Sequence, residues 1–325
     1  LLEFTKVSNQ IDLDAKEVCM ARRKKGRPVN GWLILDKQAG QTSTQELAAV
    51  KRLFDAQKAG HAGTLDPLAT GVLPIAFGEA TKTVSYAVDG EKAYRFTVRW
   101  GAETNTDDSE GEVTETSDRR PTEDEIEACL EGFIGEIRQV PPQFSAIKVD
   151  GQRAYDLARD GETPELKART VIIDDLRLVA CPDAHTVVLE AECGKGTYVR
   201  AIARDLGREL GCRGHVVELR RVRVGPFTDE MALSGEELSR ALEEGGTEAL
   251  EPFVHPVEAS LGELAELELS PADAANLARG QTVLMRGRDA PVFSGPFFAT
   301  SRGKLVALGE ADRGQLRPTR VFNLG

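Results

Sequence analysis

Residues 60–74 read GHAGTLDPLATGVLP, in which three glycines surround a single carboxylate, Asp66, that is followed directly by proline. The stretch has neither helical nor strand periodicity and leads into the apolar residues 72–77, so we predict a loop that feeds a buried strand. Glycine lets the backbone approach a ligand closely, but Asp-Pro also commonly begins a turn. Asp66 is therefore predicted either to start a turn or to act in catalysis. His61, in the same loop, is either a structural hydrogen-bonding group or a flat ring that stacks on a base.

Helices and strands are predicted on both sides of this loop. Residues 31–35 are apolar strand formers, and residues 43–55 have helical spacing behind a Ser43-x-x-Glu46 capping box. The further predicted elements are a strand at 94–100, a helix at 122–130, a strand, turn and helix over 145–159, an antiparallel strand pair at 171–179 and 186–192, a helix at 197–210 and a strand at 215–224. The chain up to residue 224 is thus expected to mix helices with strands.

The net charge of −12 is distributed unevenly along the chain. Residues 101–136 carry 13 acidic and 2 basic side chains, and residues 227–268 carry 12 acidic and 1 basic, so that the rest of the chain is positive. An acidic total therefore does not exclude a polyanionic partner if the basic remainder lies on one face. We predict that both acidic stretches lie away from such a partner, the first of them as a solvated loop.

The predicted helix at 197–210 carries a basic stripe. Arg200, Arg204 and Arg208 recur four residues apart and so share one face of the helix. This face is either an ordinary solvated surface or a groove that follows a phosphate backbone, for which the planar guanidinium is well suited.

Cysteine usage and the absence of known motifs narrow the function classes. The five cysteines are odd in number and form no Cys-x-x-Cys pair, and no stretch approaches the roughly 18–20 apolar residues of a membrane span. We therefore expect a cytoplasmic protein in a reducing compartment, with no membrane association. The sequence contains no phosphate-loop, dinucleotide-binding, His-Glu-x-x-His or nucleophile-elbow motif, so neither a metal nor a cofactor is predicted.

The stretch at 60–74 resembles the signature of the tRNA pseudouridine synthase B family, in which the aspartate is the catalytic residue. Other motifs of that family follow in order through residues 31–224. They are Leu35-Asp36-Lys37-x-x-Gly40-x-Thr42-Ser43, Lys92-Ala93-Tyr94-Arg95-Phe96, Pro141-Pro142-x-Phe144-Ser145-Ala146-x-Lys148, Gly151-x-x-Ala154-Tyr155-x-x-Ala158-Arg159-x-Gly161, Gly196-Thr197-Tyr198-Val199-Arg200 and His215-Val216-Val217-x-Leu219-Arg220-Arg221. Gln38 departs from the family, which usually has proline after the lysine.

The resemblance implies that uridine is converted to pseudouridine in the T-loop of tRNA, at the nucleotide conventionally numbered 55, without a cofactor. It makes Asp66 the essential carboxylate, Arg200 the cation that pairs with it and Tyr94 a ring that stacks on the uracil. Leu219 would close the apolar wall of the pocket, and His61 would fill the gap that flipped nucleotides leave. The other substrate-binding candidates are Lys37, Tyr198, Lys148 and Arg153, the last two within a mobile segment, residues 141–169, that folds over the RNA.

The predicted fold is α+β, with a mixed, mainly antiparallel sheet flanked by helices and a small C-terminal β-rich module. The predicted divisions are an N-terminal extension at 1–28, a pseudouridine synthase domain at 29–251 and a PUA-type RNA-binding module at 252–325. The partner is tRNA, bound through its T-stem-loop and, by way of the C-terminal module, its acceptor region. Within that module, residues 275–325 carry 8 basic and 3 acidic side chains. No obligate protein partner is inferred.

Two rival functions share part of these features. A tRNA-binding folding helper would need the same basic residues but gives no reason for Asp66, Tyr94 and Arg200 to occur together. A nucleoside glycosidase would use a similar carboxylate, because breaking a glycosidic bond develops positive charge on the sugar. It would need neither a basic helix nor an RNA-binding module.

Overall fold

A computed structural model of the chain describes residues 26–145, 147–149, 152–153, 166–285 and 293–324. Strands and helices are numbered below in chain order. No helix within these ranges is long and apolar enough to cross a membrane.

The larger sheet has the strand order β1-β3-β12-β4-β11-β10-β7, with β2 paired to β3 and β13 paired to β12. The β3–β12 pair is parallel and the other pairs are antiparallel, which confirms the predicted mixed, mainly antiparallel sheet. Its strands are β1 (Gly31–Lys37), β2 (Ala59–His61), β3 (Thr70–Phe77), β4 (Lys92–Trp100), β7 (Gly135–Gln139), β10 (Arg169–Asp183), β11 (Thr186–Cys193), β12 (Gly214–Val224) and β13 (Phe227–Thr228).

Helices lie beside this sheet, except the last of those described, which packs against the C-terminal strands. Two short hairpins lie outside the sheet. The helices are α1 (Ser43–Leu53), α2 (Val84–Asp89), α3 (Glu123–Leu130), α4 (Val199–Glu209), α5 (Gly235–Gly245) and α6 (Pro271–Ala278). Short 3-10 turns lie at Gly78–Lys82, Glu131–Phe133, Asp229–Met231, Gly246–Phe253 and Val257–Ser260. The hairpins pair β5 (Ala102–Thr104) with β6 (Val113–Thr116) and β8 (Lys148–Val149) with β9 (Gln152–Arg153).

A second, five-stranded sheet lies near the C-terminus in the order β14-β16-β17-β18-β15. Its strands are β14 (Ala265–Glu268), β15 (Val283–Leu284), β16 (Gly295–Ser301), β17 (Lys304–Asp312) and β18 (Gln315–Val321). The predicted C-terminal β module is therefore confirmed.

One hydrophobic cluster joins the two sheets. Trp32 on β1 is fully buried, and Phe298 and Phe322 from the second sheet and its end belong to the same cluster. The Trp32 indole Nε1 also donates a hydrogen bond to the carbonyl of Val257 at 3.2 Å. Because the interior side chains are shared, the second sheet is packed onto the first rather than tethered to it.

The predicted elements agree with these strands and helices except in detail. The predicted capping box at Ser43 is wrong by one residue, because Thr42 is the N-cap and exchanges hydrogen bonds with Gln45. Ser43 is buried instead, and its hydroxyl bonds to both backbone groups of Leu65, at 2.8 and 3.1 Å. The helix predicted at the end of the 145–159 segment, at 154–159, lies outside the described residues.

Candidate active site

Polar groups hold the segment around Asp66 from beneath. Leu65 is fixed by Ser43, as described above, and the carbonyl of Asp66 accepts a hydrogen bond from the amide of Ala69 at 3.1 Å. Gly71, at the start of β3, has φ +96°, and a Cβ there would lie 2.2 Å from the backbone oxygen of Arg221. Only glycine fits this contact between β3 and β12. The loop is thus set by its neighbours rather than by local turn chemistry alone.

Lys37 lies under the same loop and has no exposed surface. Its ammonium group donates to the carbonyls of Gln38, Pro67 and Ala69 at 2.9, 3.1 and 2.7 Å. Burial lowers the pKa of Lys37, and the nearby carboxylates of Glu46 and Asp66 oppose that effect. All three N–H donors are used, so Lys37 supports the Asp66 loop and does not face the cleft, contrary to the predicted substrate contact.

Asp66 forms an ion pair with Arg200. The distance from Arg200 Nη2 to Asp66 Oδ2 is 2.9 Å, and the Arg200 side chain is 4% exposed whereas that of Asp66 is 38% exposed. The guanidinium also donates to the carbonyls of Thr106 and Phe144, at 2.8 and 2.9 Å, and reaches Asp108 Oδ2 at 3.2 Å. Arg200 is therefore fixed by several acceptors, and it presents Asp66 to solvent as a paired carboxylate.

A small cleft of about 100 Å³ opens at Asp66. Its walls combine apolar, aromatic and charged side chains, and five of the predicted site residues lie there together: Asp66, Tyr94, Tyr198, Arg200 and Leu219. Their elements are the loop before β3, strand β4, the start of α4 and strand β12. The side chains of Lys148 and Arg153 lie outside the described residues.

Tyr94 is partly buried on β4, beside Arg221 on β12. Burial raises the pKa of the Tyr94 phenol, and the positive charge of Arg221 opposes that rise. Sequence reasoning gave Arg221 no individual role. The signal that could have found it is strand alternation, since Arg221 lies two residues from Leu219 and so points to the same face of β12.

His61 is half-buried on β2, whose register places it opposite Ile75. Its Nδ1 atom is buried and has no hydrogen-bond partner in the described part of the chain. Burial, and then the charge of Arg221, lower the pKa of the imidazole. The ring is therefore neutral at neutral pH, which suits a flat surface that packs against a base.

The basic stripe of α4 faces inward, so both predicted alternatives for it, a solvated face and a phosphate groove, are wrong for Arg200 and Arg204. Arg204 pairs with Asp107 at 2.8 Å, and Arg208, which is partly exposed, pairs with Glu103. Their partners belong to the first acidic stretch, whose predicted solvation is therefore wrong at Glu103, Asp107 and Asp108, all of which are buried. The physical reason is mutual neutralisation, because three carboxylates meet three guanidinium groups at matching positions.

Comparison with known proteins identifies the family of the chain. The family model for the TruB family pseudouridylate synthase N-terminal domain matches residues 51–199, and that for the tRNA pseudouridylate synthase B C-terminal domain matches residues 200–262. The chain is 53% identical over 324 residues to tRNA pseudouridine synthase B of Brucella melitensis biotype 1, covering 94% of this chain and 100% of the relative. It is 55% identical over 305 residues to the protein of that name from Agrobacterium fabrum, covering 93% and 97%.

Solved structures share the fold. An H/ACA RNP bound to a substrate RNA containing 2'-deoxyuridine matches with a TM-score of 0.71 at 23% identity, covering 94% of this chain and 92% of that one. The archaeal box H/ACA sRNP Nop10-Cbf5 complex matches with a TM-score of 0.69 at 25% identity, covering 94% of each chain. These likenesses show the fold, and the family models and the two relatives above establish that the chain belongs to the TruB family of pseudouridylate synthases.

Proposed function

We propose that this chain isomerises uridine to pseudouridine in the T-loop of tRNA, at the nucleotide conventionally numbered 55, with Asp66 as the essential carboxylate. The observation that carries the proposal is the Asp66–Arg200 ion pair at an open cleft, in a chain more than half identical to two tRNA pseudouridine synthases B. The reaction detaches uracil from the ribose, turns it and rejoins it through carbon. It involves no net oxidation or reduction and needs no cofactor.

Asp66 suits the chemistry because bond cleavage develops positive charge on the sugar and negative charge on the uracil. A carboxylate at that point acts as nucleophile or as electrostatic stabiliser. Substrate binding would exclude water from the cleft, and a carboxylate then needs a neighbouring cation to replace its lost hydration. Arg200 supplies that cation, since its guanidinium lies 2.9 Å from the carboxylate and is itself held by Asp108.

The other lining residues suit a flat, uncharged base. Tyr94 offers a ring for stacking and a hydroxyl, and Leu219 offers an apolar wall. Tyr198 lines the same cleft, and the side-chain amide of Gln139 holds its backbone through hydrogen bonds of 2.8 and 3.1 Å. We assign Tyr94 and Arg200 to catalysis and Tyr198 and Leu219 to uracil binding.

Recognition of the RNA would involve surfaces beyond the cleft. A target base must leave its stack to reach Asp66, which costs a few kcal/mol that stacking and phosphate contacts must offset. We propose that the neutral ring of His61 fills the vacated space and that residues 141–169, with Lys148 and Arg153, close over the RNA. Lys37 is reassigned from substrate binding to support of the Asp66 loop.

We further propose that the protein works in the cytoplasm and that residues 252–325 form a PUA-type module that contacts the tRNA acceptor region. Residues 29–251 would then form the catalytic domain, after an N-terminal extension at 1–28. Support for a PUA-type module comes from its five-stranded sheet and from residues 275–325, which carry 8 basic and 3 acidic side chains.

Chemical mapping of pseudouridine in unmodified tRNA transcripts tests the proposed position. We expect one new pseudouridine, in the T-loop, after incubation with the protein. A transcript in which cytidine replaces that uridine is the matched control and should gain none. Pseudouridine at another nucleotide, with the T-loop uridine of the first transcript unchanged, would contradict the proposed site. It would leave the reaction type intact.

A further inference from the structure

Tyr198, which lines the cleft, is the residue directly before helix α4. It occupies the N-cap position with φ −111° and ψ 111°, and its side chain makes no capping hydrogen bond to the first turn. Serine, threonine, aspartate and asparagine are preferred at an N-cap because they make that bond, and tyrosine does not replace them. The helix therefore gains no side-chain cap from this residue, whose ring faces the cleft instead.

The loop that leads to Tyr198 does little to fix its backbone. Residues 194–197 connect β11 to it, and two of them are glycines, Gly194 and Gly196. Gly196 has φ +85°, and nothing lies within 4 Å of a Cβ placed there. A connection that is rich in glycine imposes little geometry on the residue that follows it. The conformation of Tyr198 must therefore be set from outside its own segment.

Gln139 supplies that support from the edge of the larger sheet. It is the last residue of β7, where it pairs in register with Arg169 of β10, and it is 2% exposed. Its Oε1 accepts a hydrogen bond from the Tyr198 N–H at 2.8 Å, and its Nε2 donates to the Tyr198 carbonyl at 3.1 Å. One planar amide thus bonds both backbone groups of one residue, as a neighbouring antiparallel strand would.

The Tyr198 N–H depends on this contact more than the carbonyl does. The first N–H groups of a helix find no partner within it. The carbonyl, in contrast, also accepts the first helical bond, from the amide of Ile202 at 3.1 Å. Replacing the glutamine amide by an apolar group would therefore remove the partner of the N–H and leave the helix in place. We propose that Gln139 is a positioning residue, which sets the Tyr198 ring against the uracil by fixing the backbone that carries it.

The neighbouring arginine is held independently of Gln139. Arg200 lies two residues after Tyr198, and its guanidinium has acceptors of its own, among them Asp66 at 2.9 Å and Asp108 at 3.2 Å. Loss of the Gln139 amide would remove support from Tyr198 while Arg200 keeps these contacts. The position of the Tyr198 ring is thus the property that Gln139 controls.

This inference rests on the proposed function, because the position of the ring matters to the reaction only if Tyr198 meets the uracil. The first test is therefore independent of activity. The chain has four tyrosines, so in protein labelled with 15N-tyrosine the amide signal lost in Tyr198→Phe identifies Tyr198. We expect this amide to exchange with solvent at least about fivefold faster in Gln139→Met than in the parent. In Gln139→Glu, which keeps an acceptor for the N–H, its exchange rate should stay within about twofold of the parent's.

A matched control removes a glutamine amide elsewhere. The Gln57 Nε2 donates to the carbonyl of Gly26 at 2.8 Å, and Gln57→Met should leave the exchange of the Tyr198 amide unchanged. Thermal unfolding shows which variants are folded. Equal exchange of this amide in the parent and in folded Gln139→Met would overturn the proposal. If Gln139→Met does not fold, the parent decides, because a Tyr198 amide without protection there would overturn the proposal and a protected one would support it.

The second test measures whether Gln139 acts through the ring. With enzyme in excess over unmodified tRNA, Gln139→Met should slow the saturating rate of pseudouridine formation at least about fivefold, while the affinity for tRNA stays within about twofold. A smaller folded fraction alone would not change that saturating rate constant. In a Tyr198→Leu background the same change should cost less than about twofold, because the ring to be positioned is gone.

Equal losses of rate in the two backgrounds would overturn the positioning role. Gln57→Met should react at the parent's rate. If the parent protein forms no pseudouridine, the proposed function fails, while amide exchange still decides whether Gln139 holds Tyr198.

Discussion

Asp66 depends on residues that never line its cleft. Ser43 holds the preceding residue, Lys37 holds the carbonyls on its far side, and Asp108 holds the arginine that pairs with it. Each of these groups is buried and already hydrogen-bonded, so each contributes fixed geometry rather than contact with the substrate. A site built in this way is sensitive to small backbone changes at the loop.

Gly71 gives the sharpest prediction about a single position in the loop. Gly71→Ala should lower the free energy of unfolding by at least about 2 kcal/mol, since φ is +96° and the new Cβ would lie 2.2 Å from the backbone oxygen of Arg221. Gly60→Ala is the matched control, because nothing lies within 4 Å of a Cβ at that position. It should change stability by less than about 0.5 kcal/mol. If both variants unfold at the same midpoint urea concentration as the parent, this explanation is contradicted.

Helix α4 shows which features of an element its sequence can predict. Apolar spacing identified the helix at 197–210 and the strand after it, because periodicity is a local property. The partners of its arginines were not predictable in this way, since the register of Glu103, Asp107 and Asp108 depends on how the β5–β6 hairpin folds against the helix. The predicted capping box at Ser43 was wrong for a related reason. Thr42 and Ser43 are both suitable N-cap residues, but the Ser43 hydroxyl is bonded to the backbone of Leu65, and Thr42 is the cap.

The buried Asp107, which pairs with Arg204 of this helix, predicts a pH dependence of stability. Its neighbours are Arg204, Arg200, Glu103 and Arg208, and burial outweighs their net effect and raises the pKa of the carboxyl from 3.8 to about 6. Between these values the folded protein binds a proton that the unfolded chain does not. The contribution of Asp107 to the free energy of unfolding therefore falls as pH rises through this window, and it is constant above it.

Comparison with Asp107→Asn isolates that contribution, because other carboxylates titrate in both proteins. The free energy of unfolding of the parent, minus that of the variant, should fall by at most about 1.4 kcal/mol per pH unit between pH 4 and 6. Urea unfolding of both proteins at a series of pH values measures this difference in the free energy of unfolding. A difference that rises with pH over this range would show that the Arg204 ion pair outweighs burial.

The two sheets are joined by the cluster that contains Trp32, Phe298 and Phe322. Deleting the chain after Pro252 would therefore expose core side chains of the larger sheet. Such a deletion could weaken RNA binding by destabilising that sheet, so it does not test RNA binding by the second sheet alone. The C-terminal β module itself could be predicted, because strand-like stretches such as residues 305–308, with glycine at the bends, are local features of the sequence. The hydrophobic cluster shared by the two sheets could not be predicted, because the residue pattern of a strand does not indicate which of its faces packs against another sheet.

Charge substitutions test the second sheet without disturbing this core. Arg317 and Arg320 are exposed on β18. If they contact phosphates, the double substitution Arg317→Gln and Arg320→Gln should weaken tRNA binding and reduce the slope of log K against log salt by up to about 2. Arg240→Gln, an exposed site in the second acidic stretch, is the control and should leave the slope unchanged. A slope equal to the parent's in the double variant would exclude these two contacts.

The most direct test of whether this carboxylate performs the reaction uses Asp66→Asn protein. It measures the conversion of uridine to pseudouridine in an unmodified tRNA transcript. Asparagine keeps the shape of the side chain and removes its charge, while Arg200 stays in place on Asp108, Thr106 and Phe144. We predict that the variant still binds tRNA but forms pseudouridine on the order of 1,000-fold more slowly than the parent, or not detectably. Pseudouridine formation by the variant at close to the parent's rate would contradict the assignment.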